Sequence, residues 1–152
     1  FDMQATIYRF ANVVGPRSTH GVTYDFIKKL QRDQETLEIL GDGTQKKSYL
    51  YIDDCIEAML HGMKHGEDRV DILNIGSEDW IDVRGIADIV AEEMELSPDY
   101  AFTGGVDGGR GWKGDVKVMR LAIDRLKKWG WQPEHGSADA IRMTARWLIE
   151  NL

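Results

Sequence analysis

The 152-residue chain has few of the residues that stabilise extracellular folds or cross membranes. It contains one cysteine, so no disulfide can form within the chain, and that composition is typical of a reducing compartment. It lacks an apolar run of about 18 residues, the length that a membrane-spanning helix needs. Its first residues lack the pattern of a secretory signal. We therefore expect a cytoplasmic protein without a membrane partner.

Basic residues are outnumbered, with 19 Lys and Arg against 26 Asp and Glu. The formal net charge is −7 and the sequence pI is about 5.1. A broad surface for nucleic acid is excluded, because a phosphate backbone selects for an excess of Lys and Arg. A small anionic ligand is still compatible with this charge, since a few cations in one cleft are enough to bind it.

The hydrophobic pattern predicts an α/β protein, because strand-like segments alternate with amphipathic helices. Strands are expected over residues 5–14, 36–40, 48–52 and 71–77, and helices over 23–31, 122–129 and three further segments. Asp53 or Asp54, Asp82 and Ser137 are the predicted N-caps of those three helices. Cys55, Ile56, Met59, Leu60 and Met63 form the predicted inward stripe of the first of them. The strands are few for a complete doubly wound sheet.

Three short motifs match functional patterns incompletely. Residues 41–48, GDGTQKKS, resemble a P-loop, but Lys46 replaces its second glycine and a strand-like segment follows in place of a helix. Gly109–Gly114 fits a dinucleotide fingerprint, but an extended segment follows it. Tyr24 and Lys28 have the i, i+4 spacing of an acid/base pair, and this spacing is common by chance. We interpret these as a turn, a glycine-rich loop and a surface pair.

One predicted helix carries groups that could bind a metal or act as a nucleophile. Glu57, His61 and His65 are spaced at i, i+4 and i+8, which places three possible metal ligands on one helix face. Because that face lies opposite the predicted apolar stripe, a solvated surface is the preferred interpretation. Cys55 belongs to the stripe itself, which indicates a core thiol. We predict no metal site.

Several segments, taken in order, resemble a known family. They are RFANVVGPR (9–17), HGVTYDFI (20–27), GDGTQKKSYLYIDD (41–54), LNIGS (73–77), GRGWKGDV (109–116) and GWQP (130–133). Their order and spacing are similar to the C-terminal half of extended short-chain dehydrogenase/reductases of the NAD-dependent epimerase/dehydratase family, with the greatest likeness to archaeal-type UDP-glucose 4-epimerases. The resemblance implies late strands and helices of a Rossmann-type NAD-binding fold, followed by a small substrate-binding domain. Residues 1–15 and 53–77 would contribute to the nucleotide-binding sheet, and 16–52 and 78–152 to the substrate domain.

The resemblance also implies an activity. In this family bound NAD oxidises the sugar of a nucleotide sugar at C4, and the hydride returns to the opposite face. The glycine-rich NAD loop and the catalytic Tyr-x-x-x-Lys precede the RFAN segment, so we expect both upstream of Phe1. This chain would then be the UDP-sugar-binding half of a homodimeric epimerase and inactive alone. Two alternatives stay open: a nucleotide-sugar 4,6-dehydratase, and a non-catalytic nucleotide-sugar-binding module if the chain is complete.

The family's binding residues can be transferred to matching positions of this sequence. The predicted substrate-binding residues are Asn12, Val22, Thr23, Lys47, Arg110 and Asp115, and Phe10 is a predicted cofactor contact. Asn12 would donate to the diphosphate and Lys47 would supply a positive charge where many relatives have Arg. Asp115 would accept from ribose hydroxyls. The usual family pattern places an Arg at Trp112, and Arg110 is the proposed replacement.

Overall fold

A computed structural model of the protein describes residues 2–152. The described residues form nine strands and five helices. The strands are β1 (Ala5–Phe10), β2 (Asn12–Val14), β3 (Thr36–Ile39), β4 (Lys46–Lys47), β5 (Tyr49–Tyr51), β6 (Val70–Ile75), β7 (Ile81–Asp82), β8 (Asp99–Phe102) and β9 (Val118–Met119). The helices are α1 (Val22–Arg32), α2 (Ile52–His65), α3 (Val83–Glu93), α4 (Asp124–Lys128) and α5 (Ser137–Asn151). The predicted α/β class is confirmed.

Parallel pairing dominates the strand arrangement. β1 pairs with β6, β2 with β5 and β3 with β8, all in parallel. β4 lies between β7, to which it is antiparallel, and β9, to which it is parallel. Each of the four parallel pairs is joined by a connection that includes a helix, as parallel strands require. The predicted strand 5–14 is interrupted at Ala11, whose N–H donates to the Ile75 carbonyl. Before this residue the chain pairs with β6, and after it the chain pairs with β5.

Strand β5 separates two hydrophobic clusters, because successive side chains of a strand point to opposite faces. Tyr49 belongs to a cluster built mainly from α1, α3, α5 and β3. The next residue, Leu50, packs with Leu73, Ile75 and residues of α2 and α4 in the second cluster. The predicted inward residues of α1, which are Phe26, Ile27 and Leu30, are all buried.

Helix α2 buries only part of the face that the sequence predicted. Cys55 is buried and Met59 packs against the second cluster, but Ile56, Leu60 and Met63 are 48%, 62% and 65% exposed. The buried side carries Asp54, Cys55, Ala58 and Gly62. A Cβ at Gly62 would lie 2.5 Å from a methyl carbon of Leu73, so the small residues allow α2 to pack closely against β6. The close approach of α2 to β6 therefore determines which face of the helix is buried, and the number of apolar side chains on a face does not.

One of the three predicted N-caps is confirmed. The Asp82 carboxylate accepts from the Gly85 N–H at 2.7 Å at the start of α3. α2 begins after Tyr51 without a side-chain cap, and the Asp54 carboxylate instead accepts from the backbone N–H groups of the 134–135 segment. Gly136 is the N-cap of α5, while the Ser137 hydroxyl bonds to Tyr49 backbone atoms and to Asp79. Those two cap predictions were wrong because the side chains of Asp54 and Ser137 form tertiary hydrogen bonds instead.

The β1–β6 pair presents an open edge and an apolar face. Within residues 2–152, β1 pairs with β6 only, and Ile7, Val70 and Ile72 on these strands are between 40% and 50% exposed. Such an edge presents unpaired backbone groups to a further strand. Among the described residues, no helix combines the length and the apolar character that crossing a bilayer requires.

Candidate functional site

The site is built around two glycine-containing turns that pack against each other. The Asp42 N–H donates to the Gly109 carbonyl at 2.9 Å, and the Gly104 N–H donates to the Gly41 carbonyl at 3.0 Å. Gly109 has φ 91° and a Cβ there would overlap the Asp42 carboxylate, so glycine is required for this approach. The segment 104–114 is therefore a structural loop docked on the 41–43 turn.

Strand β4 carries Lys47 into the interior from this turn. The Lys46 N–H donates to the Lys117 carbonyl at 2.7 Å and the Ser48 N–H donates to the Met119 carbonyl at 3.0 Å. Because strand side chains alternate, Lys46 is exposed while Lys47 points inward. The octamer 41–48 is a turn followed by β4 and β5, which confirms that it is not a P-loop.

Lys47 forms an ion pair in a partly enclosed position. Its Nζ lies 2.8 Å from Oδ1 of Asp115, and the two side chains are 21% and 3% exposed. The second carboxylate oxygen of Asp115 accepts from the Gly111 N–H at 3.3 Å. The Lys47 Nζ also lies 5.4 Å from the centre of the Trp112 ring, within the range of a cation–π contact. The buried carboxylate and the indole thus hold one ammonium group between them.

The N-terminus of α1 faces the same region. Gly21, with φ 95°, precedes the helix and provides no side-chain cap. The first N–H groups of a helix have no partner within it and give that end a partial positive charge. Thr23, in the first turn, is 4% exposed, and its buried Oγ1 has no hydrogen-bond partner among the described residues. An anion could therefore bind at this end of α1 as well as at Lys47.

Two further side chains complete the wall. The Asn12 amide nitrogen donates to the Ser48 carbonyl at 3.1 Å, so one of its two N–H groups holds β2 beside β5. Burial, together with the nearby Asp115 carboxylate, raises the pKa of the Tyr49 phenol to about 12. Tyr49 is therefore a neutral hydrogen-bond donor at physiological pH, unsuited to act as a base.

These groups line two adjoining cavities, which together we call the cleft. The helix-side cavity, of about 460 Å³, runs along α1 and is bounded by Leu40, Gln45, Val83 and Asp115. The loop-side cavity, of about 420 Å³, is bounded by Asn12, the 17–20 loop and Thr144. Both cavities are lined by Gly21, Val22, Tyr24, Lys47, Tyr49 and Trp112.

Most of the predicted site residues come together in the cleft. Its walls include Asn12, Val22, Thr23, Lys47 and Asp115, which come from four separate segments of the chain. Arg110 does not line it; its guanidinium donates to the Asp107 carbonyl. Phe10 is also outside, half exposed at the carboxyl end of β1.

Tyr49 and Trp112 were not among the predicted binding residues, although both line the two cavities. Tyr49 had a detectable signal: it lies two residues after Lys47, so an extended chain places both side chains on one side. Trp112 was noted only as a departure from the family pattern. Its position depends on the fold of the glycine-rich loop.

The histidines of α2 serve in packing. His61 Nε2 lies 3.0 Å from the Trp129 carbonyl, His65 Nδ1 lies 2.9 Å from the His61 carbonyl, and the two rings stack at 4.1 Å. Stacked rings do not point their nitrogens at one ion. The described residues that could hold a metal are instead Asp54, Glu134 and His135, where Asp54 already accepts two backbone N–H groups.

Two other groups also lack a catalytic setting. Burial raises the pKa of the Cys55 thiol, which makes it a poor nucleophile. The Lys28 Nζ lies 6.0 Å from the centre of the Tyr24 ring and donates to Gln31, so these side chains are not arranged as an acid/base pair.

Related proteins match this sequence along its whole length. Residues 1–76 match the sequence model of the NAD dependent epimerase/dehydratase family. A GDP-mannose 3,5-epimerase of Arabidopsis thaliana is 28% identical over 100% of this chain and 40% of its own length. A protein of Methanocaldococcus jannaschii with a provisional assignment as UDP-glucose 4-epimerase is 27% identical over 99% of this chain and 48% of its own length.

A solved structure agrees with these sequence matches. The crystal structure of a UDP-galactose 4-epimerase matches with a TM-score of 0.85 and 42% identity, covering 98% of this chain and 47% of that one. The chain thus spans less than half the length of each of these relatives. The predicted resemblance and the Rossmann-type α/β fold are confirmed, and the chain belongs to the NAD-dependent epimerase/dehydratase family.

Proposed function

We propose that this chain forms the nucleotide-sugar-binding part of an NAD-dependent epimerase that inverts C4 of a UDP-sugar. The observation that carries the proposal is the cleft, where Lys47, Asn12 and the uncapped end of α1 converge. An ammonium group, an amide donor and free backbone N–H groups are the donors that a diphosphate requires.

In this proposal each side chain has a specific task. Lys47 supplies the charge to the diphosphate, and its contact with Asp115 fixes the direction from which the charge acts. Each Asp115 oxygen has two lone pairs, so the carboxylate can accept a ribose hydroxyl while it remains bound to Lys47 and Gly111. Val22 and Thr23, at the N-terminus of α1, would lie along the bound nucleotide.

The described residues provide only a small part of an NAD site. An NAD pyrophosphate binds at a glycine-rich turn between a buried parallel strand and a helix, and the Gly109–Gly114 loop leads to β9 instead. The half-exposed Phe10 at the end of β1 is the cofactor contact that we propose from this chain. When bound, NAD supplies the hydride acceptor and donor, and the residues of this chain bind and orient the sugar nucleotide.

The open β1–β6 pair supports the proposed division of the chain. Residues 1–15 and 53–77 would join a larger nucleotide-binding sheet, and the segments 16–52 and 78–152 would form the substrate domain. Further strands would then pair at the open edge, and helices would cover the apolar face formed by Ile7, Val70 and Ile72. In this account the parent protein is a cytoplasmic homodimer.

Product analysis separates the proposed activity from its alternatives. The protein from its full reading frame should be incubated with NAD and UDP-galactose, and the products followed by NMR. We expect UDP-glucose to form. A 4-keto-6-deoxy sugar nucleotide would instead indicate the dehydratase, and binding without turnover would indicate the non-catalytic module. Either of these results would refute the epimerase assignment.

A further inference from the structure

Trp112 is exposed at the centre of the cleft. Its side chain is 57% exposed, and it lines both cavities. One part of the ring is near the Lys47 ammonium, at 5.4 Å from the ring centre. Binding of a phosphate by Lys47 does not by itself require an exposed aromatic ring of this size beside the ammonium group.

The loop holds this indole in a defined place. The Asp115 N–H donates to the Trp112 carbonyl at 3.1 Å, and the Asp115 carboxylate binds both Lys47 and the Gly111 N–H. On the other side of the loop, the Gly109 carbonyl accepts from the backbone of the 41–43 turn. The indole is therefore presented by a turn that is tied at both ends, which limits the entropy lost when a ligand stacks on it.

The adjacent helix-side cavity has an apolar part beside Trp112, while Gln45, Asp115 and charged side chains of α1 line the rest of it. Leu40, Val83, Phe26 and Tyr49 contribute to its lining beside Trp112. We propose that Trp112 is the stacking surface for the nucleobase, so that the cleft accepts nucleotides with different bases. This inference rests on the proposed function, because it requires that the diphosphate lie at Lys47.

Stacking has a consequence for specificity. Every base has a π-face, so an aromatic surface binds different bases with similar strength, whereas hydrogen bonds to base edges discriminate among them. The cleft should therefore tolerate uracil and guanine, with affinities for UDP and GDP that differ by less than about tenfold.

Calorimetric titration of the full-reading-frame protein with UDP, GDP and pyrophosphate tests this role. Trp112→Ala should weaken both nucleotides about tenfold and change pyrophosphate binding by less than about twofold, because pyrophosphate has no base to stack. Trp112→Phe should retain most of the affinity. Trp80→Ala is the matched control: Trp80 is 48% exposed with the Arg120 guanidinium 5.1 Å from its ring centre, but it does not line either cavity.

The outcomes are distinct. Equal losses for UDP and pyrophosphate in Trp112→Ala would show that the indole acts through Lys47, and unchanged UDP affinity would remove it from the site. A preference for one base of more than about tenfold would also overturn the inference. If the wild-type protein bound UDP in the predicted way but bound and converted no UDP-sugar, the proposed function would fail while the role of Trp112 stood.

Discussion

Removing the charge of Lys47 should destabilise the fold through Asp115. In Lys47→Met the unbranched stem is kept, but the carboxylate, 3% exposed and 2.8 Å from the lost ammonium, keeps only its contact with Gly111. Breaking a buried pair in this way costs about 3–5 kcal/mol. Because a domain has a free energy of unfolding of about 5–15 kcal/mol, the loss is large enough to measure by urea denaturation followed by tryptophan fluorescence.

Two comparisons make this prediction specific. Asp115→Asn should lower the free energy of unfolding less than Lys47→Met does, because Lys47 is 21% exposed and its ammonium can turn toward solvent. The double variant Lys47→Met/Asp115→Asn should recover most of the lost free energy of unfolding, since it leaves no buried charge. The exposed pair Lys117–Asp42, at 3.3 Å with side chains 38% and 35% exposed, is the control, and Lys117→Met should cost less than about 1 kcal/mol. A double variant as unstable as Lys47→Met would refute the reasoning.

Three further predictions concern the framework of the site. Because burial penalises the charged phenolate, the pKa of Tyr49 is about 12 in the folded state, and the unfolding free energy should fall by about 2–3 kcal/mol as the pH rises from about 10 through about 12. Tyr49→Phe should flatten this fall. Gly109→Ala should be clearly less stable than Gly108→Ala in thermal unfolding, because both have positive φ but only Gly109 has a neighbour, Asp42, in the way; equal melting temperatures would contradict the docked-turn account. Asp82→Ala should lower the unfolding free energy by about 1 kcal/mol, and a change near zero would show that its bond to the α3 backbone contributes nothing.

The sequence predicted the parts of the fold that depend on local pattern. The β-branched and aromatic residues before Ala11, the apolar side of α1 and the Asp82 cap each carry their signal within a few residues. β4 and β9, of two residues each, carry almost no signal, because their pairing depends on the 41–43 turn and the glycine-rich loop meeting in space. The outward face of α2 was missed for the same reason, since the close approach at Gly62 is a tertiary event.

The candidate site was predictable to a similar extent. The family pattern indicated Asn12, Lys47 and Asp115, and the alternation of an extended chain explains why Lys47 points inward. The ion pair between Lys47 and Asp115 was not predicted, because it joins residues that are far apart in the chain. The placement of Arg110 on the Asp107 carbonyl was likewise beyond local pattern, since it depends on the tight turn formed by Val106–Arg110.

The central claim is that Lys47 binds the diphosphate of a UDP-sugar. The direct measurement is calorimetric titration of UDP-glucose into the wild-type full-reading-frame protein and its Lys47→Arg, Lys47→Met and Arg110→Ala variants, each first shown to be folded by circular dichroism. We predict that Lys47→Met weakens binding about tenfold or more, because a charged hydrogen bond contributes about 1.5–3 kcal/mol. Lys47→Arg should keep the affinity, and Arg110→Ala should change it less than Lys47→Met. Unchanged UDP-glucose affinity in a folded Lys47→Met variant would contradict the account.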